Sequence, residues 1–273
     1  MGRHAKTTIL IETAREVLSA HRPMTVRQVY YQLVSRQVVK NHKCAYQAVS
    51  KALVAARREG LVPWDWIEDR LRRPRCVSMW PGLGAFAADA AASFRLDVWA
   101  AQPVYVEVWL EKDALSGIFE DVLDAYGVTL NVGRGYDGWD SIRNAAARLG
   151  GGDVVLYFGD FDPSGEDMVR SLRERLAFFG RRPHLVKCAL TAADIDRYAL
   201  PPDFAKASDS RRAAFVARHG DVSVELDALP GDVLRQRLVR EVEARLDLAA
   251  LERVRRAEEA ERARLVRALE ATA

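Results

Sequence analysis

The 273-residue sequence is short of several things that would mark a special class of protein. It has three cysteines, Cys44, Cys76 and Cys188, far apart and odd in number, so neither a disulfide framework nor a zinc knuckle fits, and a reducing compartment is the default. No apolar run approaches the about 18 residues that a membrane span needs. Glycine follows no period, and an apolar share of 49% is too high for a disordered chain. The P-loop pattern G-x-x-x-x-G-K-[ST] is missing, which excludes a built-in P-loop motor. The opening stretch MGRHAKTTILIETAREV carries charges inside its apolar residues and no small-residue cleavage site. It predicts an amphipathic helix rather than a signal peptide, and hence a cytoplasmic protein.

What the sequence does have is an uneven distribution of charge. Residues 1–75 hold 15 Lys and Arg against six acids, a balance of +9, which leaves the remainder at −6 within the total of +3. A basic module joined to a mildly acidic one suits a nucleic-acid partner for the first, because phosphates are neutralised by Lys and Arg. A solvated basic face is the plain alternative.

Within the basic module the apolar spacing predicts helices over 6–21, 25–37 and 43–60, the second opened by Thr25 as N-cap after Pro23. In the third, Tyr46, Val49, Leu53 and Ala56 share one face, while Lys51, Arg57 and Arg58 fall elsewhere, open to solvent or phosphate. A break at Gly60–Pro63, then Trp64–Arg70 followed by Arg72, Arg73 and Arg75, fits a winged helix-turn-helix whose helix enters a groove while its wing grips backbone. A three-helix bundle with a basic face fits too. Tyr30 and Tyr31 stand roughly 100° apart on their helix and so face different ways. Tyr31 is either a packing aromatic or a phenolic nucleophile toward phosphate, with Arg27 one turn earlier to neutralise charge.

Residues 83–100, rich in alanine, read as a connecting helix. Beyond them, strands over 104–110, 128–132, 153–158 and 184–189 alternate with helices over 113–126, 139–149 and 164–179. This predicts an α/β fold with a parallel sheet, whose functional groups gather at the C-terminal strand ends. Glu111 follows the first strand, and Gly159-Asp-Phe-Asp-Pro-Ser-Gly165 follows the third. Asp160 and Asp162, two apart on extended chain, project to one side. With Glu111 they make three carboxylates and no Lys or Arg inside 159–165, an arrangement that repels itself unless a hard divalent cation binds. Taken singly, each has a plainer role: helix capping for the aspartates, and for Glu111 an ion pair with Lys112 or a neighbour.

Gly133-Arg-Gly-Tyr-Asp-Gly138 satisfies G-x-G-x-x-G, but Tyr136 and Asp137 put bulk and negative charge where a pyrophosphate needs room and positive surroundings. A dinucleotide enzyme is therefore disfavoured, and Arg134 reads as a phosphate contact. Past Pro201-Pro202, the charged stretch 206–219 predicts a helix that caps the sheet or touches DNA. Residues 232–245 and 248–271 predict two more helices, the last with an incomplete apolar seam of Leu248, Leu251, Val254, Leu265 and Leu269.

Taken together, a basic winged-helix module with R-x-x-[FY]-Y at Arg27–Tyr31, Glu111 after one strand and D-x-D-P-x-G at Asp160–Gly165 resemble the topoisomerase VI A subunit family, which includes the meiotic double-strand-break transesterase. The second module looks like a Toprim domain. Gly133-Arg-Gly-Tyr136 is similar to the family's glycine-lysine-glycine-tyrosine loop, and Val224-Glu-Leu-Asp-Ala-Leu229 to its short acidic segment. The resemblance covers residues 20–230. It implies a winged-helix domain over 1–80, a connecting helix over 81–102, a Toprim (Rossmann-like) domain over 103–229 and a helical C-terminal extension over 230–273.

The resemblance also implies chemistry. Tyr31 would attack a DNA phosphodiester with help from Arg27, leaving a 5′-phosphotyrosyl link, and Glu111, Asp160 and Asp162 would bind Mg2+. Lys51, Arg57, Arg58, Arg72, Arg73 and Arg134 are the candidate DNA contacts. A homodimer on double-stranded DNA is implied, the tyrosine of one protomer working with the Toprim domain of the other, associated with the nucleoid. No ATPase is fused, so one would come as a separate subunit, and the short chain resembles the stand-alone mini-A proteins. Two alternatives stay open: a Toprim nuclease that hydrolyses DNA with metal-activated water, and a catalytically silent DNA-binding protein.

Overall fold

The computed structural model describes residues 5–68, 77–133, 138–202 and 209–270. Three helices come first, α1 (Ala5–His21), α2 (Val26–Ser35) and α3 (Lys43–Arg58). Thr25 opens α2 through a capping box: its hydroxyl accepts from the Gln28 N–H at 3.3 Å, and the Gln28 side chain accepts from the Thr25 N–H at 2.7 Å. The helices close on Leu18, Val29, Leu33, Val49 and Leu53, all buried. Of the expected wing, the described residues show a 3-10 turn at Trp64–Trp66 and an isolated bridge between Met24 and Ile67. Arg72 and Arg73 lie outside the described residues.

The connecting helix α4 (Leu83–Ser93) stops short of the expected Ala100. Tertiary contacts override its helix propensity there. The Leu96 N–H donates to Glu258, Asp97 accepts from the Trp99 N–H, and the Trp99 indole donates to the carbonyls of Tyr126 and Gly127.

From Val106 the chain alternates as expected: β1 (Val106–Leu110), α5 (Ser116–Leu123), β2 (Thr129–Val132), α6 (Trp139–Arg148), β3 (Val154–Phe158), α7 (Pro163–Phe178) and β4 (His184–Ala189). The strands form one parallel sheet in the order β2-β1-β3-β4, with Val108 level with Leu130 on one side and Leu156 on the other. The central strands β1 and β3 are buried throughout, as a doubly covered parallel sheet requires. Their alternate residues feed two cores. Trp109, Val155 and Tyr157 meet Ile142 of α6 and Leu172 of α7 on one face. Val108, Leu156 and Phe158 meet Phe119 of α5 on the other.

After α8 (Ala192–Arg197) and α9 (Arg212–His219), helix α10 (Gly231–Glu243) adds Leu234 and Leu238 to this second core. The same core runs without a break into α1–α3. The charged α11 (Leu248–Glu270) lies along α4, buries Leu251, and ties down through Glu258 and a 3.0 Å hydrogen bond from Arg262 to the Phe94 carbonyl. No described helix is long and apolar enough to cross a membrane.

Candidate active site

Adjacent parallel strands end side by side, so the tips of β1 and β3 bring Glu111 and Asp160 together. The Glu111 N–H donates to the Phe158 carbonyl at 2.9 Å, extending the ladder, and the Asp160 N–H donates to Glu111 Oε2 at 2.9 Å. Two glycines permit this approach. A Cβ on Gly159 would stand 2.5 Å from Glu111 Oε2 and 2.6 Å from the Tyr157 ring, and one on Gly165 would stand 2.3 Å from the Asp160 carbonyl oxygen. Asp162 caps α7, its Oδ1 accepting from the Gly165 N–H at 2.6 Å, with Pro163 in the first turn. The plain capping role thus holds for Asp162, which also lines the cleft described below.

A second acidic segment joins this edge. Phe161 and Val224 exchange backbone hydrogen bonds of 2.9 Å, and the Leu226 N–H donates to Asp160 Oδ1 at 2.7 Å. Glu225 and Asp227 are thereby presented to α2. Arg27 pairs with Glu225 and, through Nε at 2.9 Å, with Asp227. The Glu225 carboxylate is also near enough to Tyr31 to act on its hydroxyl electrostatically. Lys112 completes the cluster, its Nζ 3.0 Å from Asp160, 2.8 Å from Glu225 and 2.9 Å from Asp227.

The tyrosine pair divides as its helical spacing requires. Tyr30 donates to Asn41 Oδ1 at 3.0 Å and meets the Tyr46 ring edge-on at 5.4 Å, a packing role. Tyr31 instead lines a cleft of about 320 Å³ together with Asp160, Asp162, Ser164, Arg211 and Glu225. The Arg27 guanidinium lies 5.9 Å from the centre of the Tyr31 ring. Tyr31, Asp160 and Asp162 of one chain therefore share one cleft.

Electrostatics sharpen the roles. Burial raises the Tyr31 hydroxyl above the usual phenol range, and the carboxylate of Glu225 raises it further, so at rest it is a neutral phenol. Burial alone would raise Glu225 as well, but Lys112 and Arg27 outweigh it and hold Glu225 at about 2. Glu111 goes the other way, to about 7, pushed by burial and then by the charge of Asp160. Counting Glu111, Asp160, Asp162, Glu225 and Asp227 against Arg27 and Lys112, carboxylates outnumber cations by three.

This excess, and the all-oxygen character of the donors, fit a hard divalent cation in chemistry. In geometry the acids are spread: among the described residues no group of three or more His, Cys, Asp or Glu side chains is gathered closely enough to hold a metal. The expectation that only a bound cation would balance the strand-end acids needs correcting. Lys112 supplies part of that balance, pairing with Asp160, Glu225 and Asp227 rather than with its sequence neighbour Glu111.

The remaining site residues separate into three groups. Lys51 and Arg58 are exposed on α3, as expected. Arg57 is committed within the chain, stacking 4.2 Å from the Trp64 ring centre and donating to the Trp64 carbonyl at 2.8 Å, so its guanidinium fastens α3 to the following turn. Arg72, Arg73 and Arg134 lie outside the described residues. Sequence reasoning overlooked Lys112, Glu225 and Asp227 as site residues. The two closely spaced acids of Val224-Glu-Leu-Asp were the available signal, which the 3-10 turn at Leu226–Ala228 turns toward α2. Searched against protein-family models and against curated proteins, the chain matches none.

Proposed function

We propose that this chain breaks DNA by transesterification, as a metal-dependent protein of the topoisomerase VI A type with Tyr31 as the nucleophile. One observation carries the reading: α2 delivers Tyr31 into the cleft lined by Asp160 and Asp162, with Arg27 beside it. The Tyr31 oxygen attacks phosphorus and a tyrosyl P–O bond forms. The bond to the 3′ oxygen breaks, and the proton lost by the phenol is balanced by the one the departing 3′ oxygen takes up to become a free hydroxyl. Arg27 and Lys112 supply positive charge beside the phosphate as the transition state gains negative character. Glu111, Asp160 and Asp162 are spread too widely to hold a metal as they stand, and would have to draw together to hold Mg2+, which would supply Lewis-acid stabilisation of the phosphate oxygens. In this reading α1–α3 form a winged helix and the α/β unit is a Toprim domain. The working form is a nucleoid-associated homodimer on duplex DNA.

The second reading, hydrolysis by a metal-activated water, is favoured by the neutral state of the Tyr31 phenol. Incubation with supercoiled plasmid and Mg2+, followed by denaturation with and without protease, separates the two. The expected result is DNA that stays attached to protein until protease is added, with attachment lost in Tyr31→Phe. Cleavage that survives Tyr31→Phe and disappears in Asp162→Asn transfers the assignment to the nuclease. Unchanged plasmid in every case leaves a DNA-binding protein without catalysis.

A further inference from the structure

A second groove, of about 620 Å³, adjoins the Tyr31 cleft between α7 and α9, and Pro163 and Arg211 line both. Its charge is unbalanced in one direction. The two acids on its wall are occupied, Glu166 by Lys187 at 2.6 Å and Asp167 by Arg170 and Arg211 at 2.7 and 3.4 Å. Arg173 of α7 and Arg218 of α9 are exposed on the same wall and have no ion-pair partner among the described residues. His219 stands next to Arg218, its ring 5.2 Å from Phe161 and 5.0 Å from Phe215, which fixes the end of α9 against the edge of the cleft.

We infer that this groove carries the sugar–phosphate backbone of the DNA beyond the scissile bond, with Arg173 and Arg218 each neutralising a phosphate. The inference rests on the reading of the Tyr31 cleft as a DNA-breaking site, because only a polyanion reacting there must continue past Pro163 and Arg211. It gives the charged 206–219 stretch, whose described part holds α9, a role in substrate binding. A guanidinium without a protein partner beside an occupied acid is the complement of a phosphate, and two of them facing one groove suit a repeating anion better than a single carboxylate.

The test uses the full chain, a fluorescein-labelled 30-base-pair duplex and binding by anisotropy across a range of salt. In Arg173→Ala/Arg218→Ala the affinity falls at least tenfold, equally for two unrelated DNA sequences. The slope of log K against log salt becomes shallower by about 1.8, or about 0.9 for each phosphate no longer neutralised. Arg143→Ala/Arg182→Ala removes two other exposed arginines that have no ion-pair partner among the described residues, and corrects for net charge alone. It is expected to change the slope by less than half as much. Both variants should unfold at the wild-type temperature, since the deleted groups hold nothing in place.

Equal slopes in the two variants overturn the groove assignment. So does weaker binding of an acidic peptide with DNA binding intact, which would make the groove a protein-docking surface. The Tyr31 reading is scored separately by protease-sensitive attachment of plasmid: attachment with equal slopes overturns the groove alone. A wild-type chain that binds no duplex at low salt overturns both.

Discussion

Lys112→Met is the most direct perturbation of the cluster that joins α2 to the sheet edge. The Lys112 ammonium stands within 3.0 Å of carboxylates from Asp160, Glu225 and Asp227 and is itself largely buried. At an effective dielectric of about 20, each attraction at such a distance is worth roughly 5 kcal/mol gross. Desolvating the ammonium costs several kcal/mol, and the carboxylates repel one another, so the gross sum far exceeds the net. Removing one partner of a buried pair costs about 3–5 kcal/mol, which for a chain of this size lowers Tm by roughly 6–20 °C.

The pH dependence has a definite sign. Glu225 is held at about 2 against an ordinary 4.5, so its stabilisation is complete above pH 4.5 and is lost as pH falls toward 2. Without Lys112 that advantage shrinks and the acids protonate more readily, so the gap between variant and wild type is widest near pH 8 and narrows below pH 5. Adding Glu225→Gln to Lys112→Met removes one repelling charge and should recover part of the loss, a coupling that a double-mutant cycle reads directly. Differential scanning calorimetry from pH 4 to pH 8 checks this. A Tm within about 2 °C of wild type at pH 8, or a gap that widens on acidification, refutes the account of Lys112 as the hub.

Three further outcomes follow from the geometry. Gly159→Ala forces a methyl against Glu111 and Tyr157 and should cost about 1–3 kcal/mol in urea unfolding, whereas Gly151→Ala, with open space around it, should cost less than half of that. Arg237→Met strips Asp194 of a buried bidentate partner at 2.7 and 2.5 Å and should cost about 3–5 kcal/mol, while the folded fraction still attaches to plasmid DNA as wild type does. Calorimetric titration of Mg2+ at pH 6 should release protons, because Glu111 is protonated below about 7 and ligates as a carboxylate. The heat should then vary with the buffer's ionisation enthalpy at pH 6 and cease to do so at pH 8. Heat independent of buffer at both pH values would remove Glu111 from the ligand set.

Some of this was legible in the sequence because it depends on neighbours. Thr25 after Pro23 marks the start of α2, and the apolar runs of 106–110, interrupted only by Glu107, and of 154–158 read as strands buried on both faces. The positions of Glu111 and Asp160 follow, since adjacent parallel strands end together. What was hidden depends on contacts far along the chain. Arg27 meets Glu225 across 198 positions and Lys112 meets it across 113, distances at which no local spacing carries a signal. The direction of Lys112 was hidden for a subtler reason. Successive residues leaving a strand point to opposite sides, so the neighbour of Glu111 in sequence turns toward the acidic segment instead. Arg57 was misjudged because its partner, the Trp64 ring, lies beyond the break at Gly60–Pro63 that ends the helix pattern.

The core shared by α1–α3 and the sheet has one more consequence. Residues 5–68 reach the rest of the molecule through a single covalent crossing, yet their contacts with it, from the buried core to the pairing of Arg27 with Glu225 and Asp227, are side-chain contacts indifferent to which chain supplies them. Two copies that traded this unit would keep every one of those contacts and exchange only their ownership. A site assembled within one chain and a site assembled between two chains are then the same arrangement of atoms, separated by the path of the connecting segment rather than by any change in chemistry.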